Sequence, residues 1–168
     1  NLEGGKDGTF NLSVENATKN GSVEFLYREE SLGGADPQTV NLGLTNARLH
    51  SLTIDETGDS AEDEGFGFET VNVTVKTTSD IDSLTIGANQ REDASDADSS
   101  QTINLVANGT TEINSLTAPG AETINITANA NVLIAKDDRD LLSVGNDGIS
   151  TAQLTKLTIT GDHDVSID

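Results

Sequence analysis

Residues 101–134 read QTINLVANGTTEINSLTAPGAETINITANANVLI. Two near-copies of one phrase, Gln101-Thr102-Ile103-Asn104-Leu105 and Glu122-Thr123-Ile124-Asn125-Ile126, flank a second phrase, Ser115-Leu116-Thr117. Aliphatic and polar residues alternate with period two in both copies, the signature of a strand with one buried face. The first phrase also occurs upstream, as Gln38-Thr39-Val40-Asn41-Leu42 and Glu69-Thr70-Val71-Asn72-Val73. Its four copies start 31, 32 and 21 residues apart. The second phrase recurs as Ser51-Leu52-Thr53-Ile54 and Ser83-Leu84-Thr85-Ile86, and Lys156-Leu157-Thr158-Ile159 is a fourth copy.

Regular self-similarity on this scale indicates stacked repeats. Val40, Leu42 and Leu44 face one way, and Thr39, Asn41 and Gly43 face the other. Val71, Val73 and Val75 repeat the inward set. Like residues at like positions favour parallel, in-register stacking, with an aliphatic interior and Thr or Asn ladders outside. The predicted fold is therefore all-β: a parallel β-solenoid of the β-helix or β-roll kind, two strands per 32-residue unit, with acidic loop insertions. An antiparallel β-sandwich is the alternative, because it too gives regularly spaced strands. The short rung of residues 101–122 is a unit without an insertion.

Residues 1–36 read differently. The segments 9–16 (TFNLSVEN) and 22–30 (SVEFLYREE) alternate, and Asn20-Gly21 between them is a tight-turn signal. This predicts an N-terminal antiparallel β-hairpin or cap over residues 1–36, followed by solenoid repeats over 37–168. The repeats run to the end of the chain, as expected for a fragment of a longer protein.

Composition narrows the function. Nine basic residues against 29 acidic ones give a net charge of −20. Nucleic acid and anionic membranes are excluded as partners, because their phosphates require Lys and Arg. No stretch has the length of a membrane-spanning helix. Without Cys there is no disulfide framework and no thiolate metal site. Aromatic residues are only 3%, so the core is filled by Val, Ile, Leu and Ala, which suits a narrow layered interior.

The acids concentrate between the strands. Residues 55–68 (DETGDSAEDEGFGF), 87–100 (GANQREDASDADSS) and 135–148 (AKDDRDLLSVGNDG) each follow a strand ending in Ile. They are expected to leave the stack along one edge. Calcium takes six to eight hard oxygens from loops that bend sharply, which clustered Asp with Gly or Ser spacers can provide. The candidate calcium ligands are Asp55, Asp59, Glu62, Asp63, Asp93, Asp96, Asp98, Asp137, Asp138 and Asp147, with Asp162 and Asp164 flanking His163. So many like charges oppose a compact state unless counter-ions relieve them. His50 and His163 lack the spacing of a zinc site.

The phrases at 121–127 (AETINIT) and 154–162 (LTKLTITGD) resemble the repeats of Gram-negative surface-layer (S-layer) proteins and of related type I secreted proteins of the RTX kind. The resemblance spans residues 38–168. It implies a secreted module at the extracellular cell surface, bound calcium, and self-assembly of copies into a lattice. The glycine-rich nonapeptide of RTX β-rolls is absent, so any calcium would sit in irregular loops. An adhesin module binding a cell-surface polysaccharide is the alternative function, although few aromatics are present to stack on sugars. No nucleophile elbow, phosphate loop or His-centred triad is present, so no enzymatic activity is expected.

Overall fold

The alternation of β-branched and small polar residues is realised as strands throughout. The computed structural model describes residues 9–19, 21–27, 39–56, 68–87, 101–134 and 148–167, and these contain thirteen strands and no helix. In chain order they are β1 (Thr9–Glu15), β2 (Gly21–Tyr27), β3 (Thr39–Thr45), β4 (Arg48–Glu56), β5 (Thr70–Val75), β6 (Ser79–Ile86) and β7 (Gln101–Ala107). Then follow β8 (Thr111–Thr117), β9 (Ala121–Ala128), β10 (Val132–Ile134), β11 (Gly148–Ser150), β12 (Lys156–Gly161) and β13 (Val165–Ile167).

The chain coils between two sheets. The first has the order β1-β3-β5-β7-β9-β12, the second β13-β10-β8-β6-β4-β2, and every pairing is parallel. Each layer therefore holds one strand of each sheet, except the fifth, where β10 and β11 share the second-sheet position, and six layers stack into a parallel β-solenoid. This is the predicted architecture, and the antiparallel sandwich is ruled out. Register follows the phrases: Val40 lies on Val71, Val71 on Ile103, and Ile103 on Ile124. Leu42, Val73, Leu105 and Ile126 form the neighbouring column. From the second sheet, Leu52, Leu84 and Leu116 face them in a third. All of these side chains are buried. Full burial of such a side chain is worth about 1.5–3 kcal/mol, so repetition of the phrase builds the core.

Two expectations need correction. The N-terminal strands do not form a hairpin: β1 pairs with β3 and β2 with β4, each in parallel. Residues 16–19 follow β1 at the corner between the two sheets. Phe10, Leu12 and Val14 are buried as the first rung of the core columns, and a hairpin would have placed β1 and β2 side by side in one sheet. An Asn-Gly signal does not by itself distinguish a hairpin from a sheet-to-sheet corner.

The second correction concerns the insertions. Ile54 lies on Ile86, so residues 57–67 and 88–100 both leave after the end of a second-sheet strand. Ile134, however, lies on Ile113, in the column of Ile81 and Leu49 near the start of those strands. The third insertion therefore interrupts a strand. β10 occupies the first half of β8 and β11 the second half, with residues 135–147 between them. In the other layers this point is a kink where Asp82 and Ser83, or Asn114 and Ser115, are successively outward and the alternation slips by one. A strand that already breaks its period here can admit an insertion without losing its pairing.

The sixth layer is exposed. Leu157 and Ile159 continue the columns of Ile124 and Ile126 but are 43% and 47% solvent-accessible.

Candidate functional site

The outer faces of the two sheets differ in chemistry. On the first sheet Asn11, Asn41, Asn72, Asn104 and Asn125 form a continuous amide ladder. Each Nδ2 donates to the Oδ1 one layer below: Asn41 to Asn11 at 3.0 Å, Asn72 to Asn41 at 2.8 Å, Asn104 to Asn72 at 2.8 Å and Asn125 to Asn104 at 2.9 Å. Parallel register makes this possible, because it places identical amides one strand spacing apart, about 4.8 Å. Glu122 is the only charged residue in β3, β5, β7 and β9. Shorter ladders cross the corners, where Asn46 donates to Asn16 at 3.2 Å and Asn129 to Asn108 at 2.9 Å. Asn16 and Asn46 have φ of 53° and 48°, the left-handed conformation that asparagine tolerates.

The second sheet carries the charge. His50 Nδ1 lies 3.1 Å from Asp82 Oδ2, and Asn114 Nδ2 donates to Asp82 Oδ1 at 3.3 Å. Lys19, which is exposed, and the half-buried Asp80 form a pair at 3.8 Å, a surface contact worth little in water.

Three of the predicted calcium ligands fall among the described residues. Asp55 is half-buried at the end of β4, in the second layer, at the corner where the chain leaves the second sheet for the first. Asp162 and Asp164 are exposed in the turn between β12 and β13, at the opposite corner of the sixth layer. Asp162 Oδ1 is 2.7 Å from His163 Nδ1. The structure does not bring Asp55 together with this pair. Asp59, Glu62, Asp63, Asp93, Asp96, Asp98, Asp137, Asp138 and Asp147 lie outside the described residues. Among the described residues, no three His, Asp or Glu side chains gather as a metal-holding group.

One corner residue was not singled out by its sequence. Gln101, at the start of β7, is completely buried. Its Nε2 donates to the carbonyl oxygens of Phe68 and Gly87, each at 3.1 Å. Phe68 is the residue that follows the segment 57–67, and Gly87 precedes the segment 88–100. Phe68 is itself anchored in the core, edge-to-face against Phe10 with ring centroids 5.6 Å apart. The only signal in the sequence was the repeating Gln or Glu that opens each copy of the first phrase, at 38, 69, 101 and 122.

Comparison of the chain with protein-family models, with curated proteins and with solved structures gives no match. The fold and the chemistry of these faces and corners are therefore the basis for a functional reading.

Proposed function

We propose that this chain is a structural, calcium-binding module of a secreted bacterial surface-layer protein, which packs with copies of itself at the cell surface. The observation that supports this is the segregation of charge on a repetitive frame. Fifteen of the 29 acids lie in the four segments 28–38, 57–67, 88–100 and 135–147, which interrupt the solenoid, whereas the first-sheet strands from β3 to β9 are almost uncharged. The first three of these segments link a second-sheet strand to the next first-sheet strand in successive layers. Acids at successive layers of one edge repel one another, and a divalent cation relieves that repulsion while supplying the contacts that order the chain. A solenoid also suits a structural role, because each layer contacts only its neighbours and the body can be extended by repetition.

A calcium titration followed by circular dichroism and thermal melting tests this reading. Chelator is expected to lower the melting temperature, and calcium to restore it with a dependence on concentration set by mass action. Light scattering in calcium is expected to report association between copies. A melting temperature indifferent to chelator and calcium would overturn the calcium-binding role. A strict monomer at high concentration in calcium would overturn the assembly.

A further inference from the structure

Three polar side chains are buried among the described residues: Ser79, Gln101 and Thr111. Ser79 Oγ donates to the Thr77 carbonyl and accepts from the Ala47 N–H, and Thr111 Oγ1 donates to the Gly109 carbonyl. Gln101 is different. Its Nε2 is fully used by Phe68 and Gly87, but its Oε1 has no hydrogen-bond partner among the described residues. A buried acceptor left unanswered is costly. The surroundings are rich in oxygen. The carbonyls of Phe68 and Gly87 converge on the same amide, and the Asp55 carboxylate fills the space a side chain on Gly87 would occupy. Amide, carbonyl and carboxylate oxygens are the donors that calcium takes.

We propose that Gln101 Oε1 is a ligand of a divalent cation, calcium by its donor set, bound at the corner where β4, β6 and β7 meet. The inference rests on the calcium-binding reading above and locates one ion within it. Gln101 plays two parts there. Its Nε2 fixes the ends of two acidic segments through Phe68 and Gly87, and its Oε1 offers a preformed neutral ligand. The Asp55 carboxylate supplies negative charge beside the same glycine. A neutral amide is the side chain this position tolerates with the ion absent, because a carboxylate would put an oxygen where Nε2 now donates, against two carbonyls that cannot donate.

The test compares the 168-residue chain with Gln101→Glu and Gln101→Leu, melted in chelator and in calcium chloride at about 5 mM, above the ~10⁻⁴–10⁻³ M range of extracellular calcium modules. In chelator, Gln101→Glu is expected to melt below the parent. Calcium is expected to reverse that loss, so that its calcium-induced shift is larger than the parent's. Gln101→Leu removes the ligand, and its calcium-induced shift is expected to fall below the parent's, with one ion fewer bound in a calorimetric titration. A parent that responds to calcium, with Gln101→Leu keeping the whole response, would overturn the site and leave the calcium-binding reading intact. A Gln101→Glu chain destabilised equally with and without calcium would also overturn it and assign the orphan oxygen to water. A parent with no calcium response would overturn both.

Discussion

Asn72 donates to Asn41 and accepts from Asn104, so it closes two rungs of the amide ladder, whereas Asn125 closes one to another asparagine because Thr158 lies above it. Each such bond contributes about 0.5–1.5 kcal/mol net. Asn72→Ala is therefore expected to cost about 1–2 kcal/mol in urea unfolding, and Asn125→Ala roughly half as much. Equal costs would mean that the ladder is incidental to stability. The same face contains Gly43, over which the Lys76 side chain lies. Outward positions are thus not simply solvent-facing filler. Parallel stacking gives each of them a like neighbour, and an amide exploits this because it is both donor and acceptor.

At the scale of the element, the informative strand is the split one. β8 runs through Ile113-Asn114-Ser115 without a break, and the layer above it replaces the Asn114 position with residues 135–147. Deleting 135–147 and joining Ile134 to Gly148 through a single asparagine should therefore restore one continuous strand. The expected product folds cooperatively with the parent's circular dichroism spectrum, and hydrogen exchange should show β10 and β11 still protected on β8. Loss of cooperative folding would contradict the register. The corners impose stricter limits. A Cβ at Gly109 would overlap the backbone of Thr77 and Thr78 in the layer below, so this turn has no room for a side chain.

At the scale of the whole molecule, stability is a property of position in the stack. Lys156-Leu157-Thr158-Ile159 reads as a copy of the second phrase, yet β12 lies in the first sheet, where Ile159 packs above Ile126. Ile126 is 1% exposed and Ile159 47%. Ile126→Ala is expected to cost about 2–5 kcal/mol, the range for an aliphatic side chain removed from a packed core. Ile159→Ala should cost no more than about half of that, since much of its surface is already in water. Denaturant melts of the two variants check this, and equal losses would show that the sixth layer is covered in solution. The proposed calcium role also belongs to this scale, because the acidic segments act together through their summed repulsion rather than one at a time.

The frame was legible because its physics is local and repeated. Period-two alternation in Val40-Asn41-Leu42 and its copies fixed which side chains point inward, and recurrence of the first phrase fixed which residues of β3, β5, β7 and β9 stack on which, whereas Lys156-Leu157-Thr158-Ile159, a copy of the second phrase, is placed on the first sheet. The short rung of residues 101–122 correctly marked a layer without an insertion, closed by the three residues between β8 and β9. What alternation cannot encode is which strand becomes the neighbour. β1 and β2 have the pattern of a hairpin, and only packing against β3 and β4 sends them to different sheets. Nor does an apolar residue before an acidic run say where in its strand it stands: Ile54 and Ile134 read alike, yet one ends a strand and the other precedes a kink. Gln101 shows the same limit for the candidate site. Its sequence context is that of any phrase-opening Gln or Glu, and its burial, its two carbonyl partners and its unanswered oxygen exist only once three distant segments have been folded onto one corner.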